Sequence, residues 1–402
     1  MKRIIVFAGA TALVTLAIWL AGHSLYAPPK HPVDDTPWPY ALGRLRDVPK
    51  RYPSQDVSTN AAEVTRLAAA LDIDLQQETT RPRGPSRLLA LRAAMREYLA
   101  ATLSVPGDHT KPLPPLIAQF LAGHQPALAG VRAQLNANAP PRWRSDVQDL
   151  SDPQRPNLGA HNELTRLLAV DALERHHAGD DATAWLDLDA LWKLARGLLA
   201  NPDRWSTYAG VAAAQLTAGI AARLAPPLPL WWRSFMAFDL DRANAASMQY
   251  EAWRDLNFTQ RYPVGEPDDD DAVGSFLQHG AEVVIGPFHI ERARRSAVSM
   301  RQRAERLART PPCAGEEEHF FLQFSRRFLV EREGVDRYLA LEDAHGATGA
   351  WPASVPEQSQ CIGHTWKYTR TNDGVRLSLT PPLPPPKTDG PRLALPLEFA
   401  GR

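Results

Sequence analysis

The stretch from Asn162 to Asp203, "NELTRLLAVDALERHHAGDDATAWLDLDALWKLARGLLANPD", decides the fold class. In its second half, apolar residues recur every three or four positions, which is the period of an amphipathic helix; they are Trp185, Leu188, Trp192, Ala195 and Leu199. Asp180 or Asp181 can cap the start of this helix, and Gly179 ends the block before it. The sequence therefore predicts two helices joined by a short turn as an antiparallel hairpin.

Ala- and Leu-rich blocks separated by Pro, Gly and Asp continue on both sides of this hairpin. Their periodicity predicts helices near 60–72, 85–104, 113–137, 160–178, 182–200, 204–224, 239–257, 288–309 and 317–344. The central hairpin resembles one unit of a tetratricopeptide-type array, although no second copy follows at a period of about 34 residues. We therefore expect a mainly α protein that contains a helical-hairpin, tetratricopeptide-like domain.

The amino terminus carries 19 consecutive uncharged residues, 4–22, which as a helix reach roughly 28 Å and can cross a bilayer. Lys2 and Arg3 precede this run, so the positive-inside rule places the rest of the chain outside the cytosol. A cleaved signal peptide is the first alternative, but small residues fit poorly at the positions before a cut. A buried core helix is the second alternative. We favour an uncleaved transmembrane anchor.

The only two cysteines are Cys313 and Cys361. In an exported chain a lone pair of cysteines is expected to form a disulfide, which here would close a loop of nearly fifty residues. The alternative is two unrelated buried thiols. The formal net charge is zero, so no overall charge excess suggests a nucleic-acid partner.

The carboxyl-terminal region changes from a helical to an alternating pattern. Val375, Leu377 and Leu379 fall on one face of a strand, and a turn at 372–374 predicts a β-hairpin. The prolines after Thr380 predict polyproline II and then a short tail.

This region resembles the ends of uncharacterised bacterial membrane-anchored envelope proteins, in which a long helix leads to a Gly-x-Trp-Pro turn and a hairpin, as in the globular part of pseudopilins. The matching positions are Gly349, Trp351, Pro352, Trp366, Tyr368, Asp373 and Gly374. The resemblance covers about sixty residues. It implies an architecture and no activity.

Groups that could carry chemistry do not form a known motif. His176 and His177 are adjacent on a helix, so their side chains diverge by about 100° and lack the spacing of zinc ligands. The acidic stretch 266–271 lacks the alternation of a calcium loop. We predict no metal and no cofactor, assign no catalytic residue, and favour a non-enzymatic protein.

The segment 289–310, "HIERARRSAVSMRQRAERLART", predicts a helix with a narrow apolar seam and seven arginines on its other faces. Such a helix either lies on the domain with its arginine stems covering apolar surface, or binds an acidic partner or anionic lipid head groups. The candidate partner-binding residues are Arg292, Arg295 and Arg303.

These observations predict a single-pass inner-membrane protein with its carboxyl-terminal bulk in the periplasm. Its expected parts are a cytoplasmic stub (1–3), a transmembrane anchor (4–22), a Pro-rich spacer (23–58), a helical domain (59–310), and a long helix with a β-hairpin module and Pro-rich tail (311–402). The expected function is a scaffold or interaction protein of the bacterial cell envelope. The expected partners are the membrane and an envelope protein, and not nucleic acid. A periplasmic hydrolase or lyase acting on an envelope substrate is the alternative.

Overall fold

The structure, a computed structural model, describes residues 35–75, 88–106, 111–146, 148–150, 156–262, 272–312, 320–371, 374–384 and 394–401. Within these ranges the chain is mainly helical and ends in a small antiparallel sheet, so the expected fold class is confirmed at that level. The elements are α1 (Val48–Arg51), α2 (Thr59–Ala69), α3 (Leu88–Leu103), α4 (Pro115–Ala137), α5 (Leu158–His177), α6 (Asp181–Leu199), α7 (Arg204–Ala221), α8 (Trp231–Met236), α9 (Leu240–Arg261), α10 (Ala272–Arg309), α11 (Phe320–Thr348), β1 (Thr365–Thr371), β2 (Gly374–Thr380) and β3 (Glu398–Gly401).

The chain divides into two compact units. The first draws its described residues from 1–54, 146–153 and 245–309, and the second draws its described residues from 55–145, 154–244 and 310–402. This division differs from the boundary we expected near residue 310, because distant chain segments pack together in each unit.

The central hairpin of the second unit is the pair α5 and α6, which pack on each other. The Asp180 side chain caps α6 by accepting a hydrogen bond from the Thr183 backbone N–H at 3.2 Å. Gly179 has a φ of +76°, a left-handed conformation that glycine adopts without a Cβ penalty, and it allows the sharp turn between the helices. The five apolar residues of the α6 stripe are buried, so the predicted hairpin is confirmed.

Around this hairpin, α6 packs on α4 and α7, α3 packs on α5, and α2 packs on α4. The long helix α11 packs on α7 and on the sheet. Phe328, Val335 and Leu339 are buried on the inner side of α11, as its aromatic and aliphatic stripe predicts.

The sheet has the order β1-β2-β3, and both pairings are antiparallel. Trp366 lies opposite Leu379, and Tyr368 lies opposite Leu377, which confirms the predicted hairpin. Residues 372 and 373 of its turn lie outside the described residues. The tail prediction is wrong: residues 398–401 form β3, because Phe399 lies opposite Leu377 and buries its ring on the same face.

The sheet approaches α11 closely at Gly334. A Cβ at this position would lie 2.4 Å from the Trp366 ring and 2.8 Å from the Phe399 ring. Only a glycine therefore allows the fully buried Trp366 to lie against the helix. The Tyr368 hydroxyl donates a hydrogen bond to the Pro352 carbonyl at 2.8 Å, which ties the Trp-Pro turn to the hairpin.

The spacer prediction for 23–58 is wrong over its described part. A 3-10 turn (Leu45–Asp47) and α1 fold there, and four apolar residues are buried: Trp38, Leu42, Leu45 and Val48. They share a core with α9 and α10 of the first unit. Proline interrupts long helices, but it is tolerated in the first turn of a helix, where its missing N–H would have no partner anyway. Pro49 occupies this position in α1.

Two further helices differ from expectation. The helix expected to begin at 288 begins at Ala272, and it continues through Pro287, where the missing N–H and the ring normally disfavour a helix. The six-residue helix α8 has no counterpart among the predicted elements, because it is too short to show a helical period.

Candidate functional site

The exposed side of α10 carries a row of arginines. At 100° per residue, Arg292, Arg295, Arg303 and Arg306 fall within an arc of about 80°, and we call them the α10 arginine face. The structure thus brings the three predicted partner-binding arginines onto one face and adds a fourth. The buried seam of the same helix lies about 120° away and contains Ala293, Ala297, Ala304 and Leu307.

Few carboxylates compensate these arginines. The nearly buried Glu291 side chain forms ion pairs with both Arg294, at 3.7 Å, and Arg295, at 3.6 Å. Glu305 pairs with Arg301 at 3.0 Å on another side of the helix. Within the described part of the chain, the Arg292 and Arg303 side chains make neither a hydrogen bond nor an ion pair. On the α10 arginine face, Arg292 and Arg303 therefore present positive charge that no described carboxylate pairs.

The interior of the second unit holds a second set of charges, in which arginine is compensated. The Arg132 guanidinium of α4 donates to Asp171 of α5 at 3.1 Å and to Asp187 of α6 at 2.8 Å. Gln125 donates to Asp171 at 2.8 Å, and Arg175 donates to Gln125. Both carboxylates are fully buried. We call these five residues the Arg132 cluster.

The two acids of the Arg132 cluster are not equivalent. Burial, and next the neighbouring Asp171 charge, raise the pKa of Asp187 to about 8, although Arg132 opposes this shift. Asp187 therefore carries a proton at neutral pH, and Arg132 donates hydrogen bonds to both acids. This arrangement joins three helices by charge-assisted hydrogen bonds, which is a structural role.

Glu331 of α11 is a similar case. Burial raises its pKa, while Arg327 opposes the shift. Its two oxygens accept hydrogen bonds from Arg327 at 2.8 Å and from Gln215 of α7 at 2.6 Å. Its side chain thus links α7 to α11.

The histidines of α5 occupy different environments. His161 is fully buried, and burial lowers its pKa to about 4, so it stays neutral at physiological pH. Its Nδ1 lies 2.8 Å from the Asn157 carbonyl, and its ring meets Trp143 edge-on. His176 Nδ1 lies 2.6 Å from Asp181 at the start of α6. Among the residues that the structure describes, no three metal-ligating side chains come together.

Two predicted features fall outside the described residues. Residues 4–22, the proposed anchor, belong to the range 1–34 that the structure does not describe. In the ranges that are described, no helix combines the length and the apolar character needed to span a bilayer.

The proposed disulfide also involves a residue outside the described ranges. Cys361 is fully buried, but Cys313 lies outside the described residues, so the pairing of the two cysteines stays a prediction.

Comparisons with protein-family models, curated proteins and solved structures find no match to this chain. The resemblance of its carboxyl-terminal region to pseudopilin-like modules therefore remains an expectation from the sequence.

Proposed function

We propose that the chain is a membrane-anchored periplasmic scaffold or interaction protein of the bacterial cell envelope, and that the α10 arginine face binds an acidic surface of a protein partner. The carrying observation is the surplus of positive charge on this face, where Arg292 and Arg303 make no ion pair among the described residues. Guanidinium groups bind carboxylates in bidentate geometry, which suits recognition of an acidic segment.

The dimensions of the α10 arginine face support a protein partner. From Arg292 to Arg306 the helix rises about 21 Å, the length of a short helix or strand on a partner. A helix that inserts into a membrane surface needs an exposed apolar side. The apolar seam of α10 is instead used in the core of its own unit. This favours a protein over lipid head groups and gives no support to a nucleic-acid partner.

The carboxylates with raised pKa values support a non-enzymatic function. Asp187 and Glu331 are two of the described acids whose pKa is raised, and an enzyme can recruit such groups as proton donors. Both are held inside the fold, Asp187 by Arg132 and Glu331 by Arg327 and Gln215. Their bonding accounts for them as structural groups, which favours a scaffold over the hydrolase or lyase alternative.

The location in the envelope rests on the sequence. The uncharged run 4–22 behind Lys2 and Arg3 supports an inner-membrane anchor with the bulk of the chain in the periplasm. Alkaline phosphatase fused to the carboxyl terminus should be active, because this reporter requires export. A fusion that is active only as a cytosolic reporter would contradict the proposal.

Crosslinking in intact cells tests the binding face. A photoreactive residue at position 299, between Arg295 and Arg303, should capture a partner at a segment rich in Asp and Glu. The double variant Arg292→Glu/Arg303→Glu should reduce this capture by about tenfold or more, because two attractive charges become repulsive.

The matched control is Arg294→Glu/Arg301→Glu, which changes the net charge equally on the same helix but off the α10 arginine face. It should leave capture near the wild-type level. Equal losses in both variants, or no loss in either, would contradict the proposal. Binding to anionic vesicles that is lost in Arg292→Glu/Arg303→Glu, without capture of a protein, would assign the face to lipid instead.

A further inference from the structure

Three arginines of the second unit, Arg92, Arg96 and Arg166, lie on α3 and α5, two helices that pack on each other. Arg92 and Arg96 stand one turn apart on α3, and Glu163 and Arg166 stand three residues apart on α5. Glu163 is nearly buried and forms an ion pair with Arg92. We call these three arginines the Arg166 cluster. Its residues are distinct from those of the α10 arginine face.

The charges of the Arg166 cluster do not balance. Among the described residues, Arg92 forms an ion pair with Glu163 while Arg96 and Arg166 form none, which leaves a surplus of two positive charges without a paired carboxylate. Arg166 is half-buried, and its pKa is lowered first by burial and then by repulsion from Arg96; Glu163 partly offsets the effect. The fold therefore holds like charges together against their repulsion.

The cluster also has hydrogen-bond donors to spare. The Arg92 Nε is buried and has no hydrogen-bond partner among the described residues. In the same part of the chain, the Arg96 and Arg166 side chains make neither a hydrogen bond nor an ion pair. Each guanidinium offers five N–H donors in a planar fork. A buried donor such as Arg92 Nε normally has an acceptor, and an anion bound at the cluster would supply one.

We propose that the Arg166 cluster is a binding site for a phosphate dianion, either inorganic phosphate or a phosphate monoester. The surplus of two charges matches the charge of about −1.5 to −2 that such a group carries at neutral pH. Its three terminal oxygens can accept from Arg92, Arg96 and Arg166 together, and the fork geometry of guanidinium fits phosphate oxygens.

Calorimetry and thermal unfolding of the full chain test this site. Sodium phosphate should bind at one site and raise the unfolding temperature beyond the effect of sodium chloride at equal ionic strength. Arg96→Gln and Arg166→Gln should each weaken phosphate binding by about tenfold or more, because each removes a charge-assisted contact. Without phosphate, Arg96→Gln should unfold at or above the wild-type temperature, because it relieves repulsion.

The control is Arg66→Gln, which removes an arginine paired with Glu63 on the surface of the same unit and should leave phosphate binding unchanged. Arg96 is exposed, so Arg96→Gln decides the question even where Arg166→Gln fails to fold. No phosphate effect beyond that of chloride, or equal binding by wild type and Arg96→Gln, would overturn the proposal.

Two further titrations identify the source of the phosphate group. Tighter binding of glycerol phosphate than of inorganic phosphate would assign the site to an organic monoester, and the reverse order would assign it to the free ion. Binding only to phosphatidylglycerol vesicles, whose phosphodiester carries a single charge, would contradict a site for a dianion.

Discussion

Arg132 and Arg166 lie in the same helical unit, yet they differ in the ion pairs that they make. Arg132 donates to two buried carboxylates, at 3.1 Å and 2.8 Å, on two neighbouring helices. Arg166 makes no ion pair among the described residues, and the carboxylate of Glu163, one turn away on α5, is paired with Arg92. Among the described residues, the first site pairs its arginine with two acids, and the second leaves two arginines without an ion pair.

This difference separates structural arginines from binding arginines. Burying a charge is costly unless partners compensate it, so a compensated arginine such as Arg132 holds its helices together. An arginine without compensation reduces stability and persists when it binds something else. On the α10 arginine face, Arg292 and Arg303 likewise make no ion pair among the described residues, which is the reason for proposing that they bind a partner.

The largest expected effect comes from Arg132→Met, which removes the guanidinium that bonds both buried acids, Asp171 and Asp187. The free energy of unfolding should fall by about 3–5 kcal/mol, the usual loss when one partner of a buried pair is removed. Urea denaturation followed by circular dichroism measures the change. Arg66→Met, at an exposed pair, should change the free energy of unfolding far less. Similar losses in the two variants would show that the Arg132 cluster is not a structural centre.

The second effect is a pH dependence that comes from Asp187. Its folded-state pKa is about 8 and its ordinary value is 3.8, so the folded state binds a proton that the unfolded state has released. The contribution of Asp187 to the free energy of unfolding is fully present below pH 3.8. It decreases as the pH rises from 3.8 to about 8. The slope is at most about 1.4 kcal/mol per pH unit, that of one proton.

Asp187→Asn should remove this slope, because asparagine cannot titrate. Urea denaturation at a series of pH values between about 5 and 8 measures it. Glu63→Gln is the control, since the hydrogen bond from Arg66 lowers the pKa of the exposed Glu63, and its titration lies below this window. An unchanged slope in Asp187→Asn would refute the assignment of the buried proton to Asp187.

The smallest effect is expected on the α10 arginine face. Arg292→Glu/Arg303→Glu should change the free energy of unfolding by no more than about 0.5 kcal/mol, because neither side chain has an ion pair to lose. Thermal unfolding and urea denaturation should both show this. A decrease in the free energy of unfolding above about 2 kcal/mol would instead show that these arginines are structural. Reduced crosslinking would then reflect unfolding and not a lost contact with the partner.

Local patterns in the sequence were enough to predict most of the helices and the first two strands. The α6 stripe and the seam of α10 repeat at helical spacing, and the Val375–Leu379 alternation marks β2. These signals lie within one element, so a single sequence displays them. The third strand was missed because four residues after a proline-rich stretch carry too few alternations to show a strand period.

The charged clusters could not be predicted, because their members come from different helices. In the sequence, Arg132 lies 39 residues from Asp171 and 55 residues from Asp187. Only the packing of α4, α5 and α6 brings the three side chains together. One signal was available: Asp187 directly precedes Leu188 of the buried α6 stripe, and an acid so placed suggests a buried partner. The Arg166 cluster offers no such signal, because arginines on helix surfaces are common.

Nuclear magnetic resonance of the arginine Nε–H groups during a phosphate titration of the full chain tests the contrast between Arg132 and Arg166 most directly. The account predicts that the Arg166 resonance shifts with phosphate concentration and reaches a plateau, and that the Arg132 resonance does not move. A stationary Arg166 resonance, or an Arg132 resonance that shifts to the same extent, would contradict it.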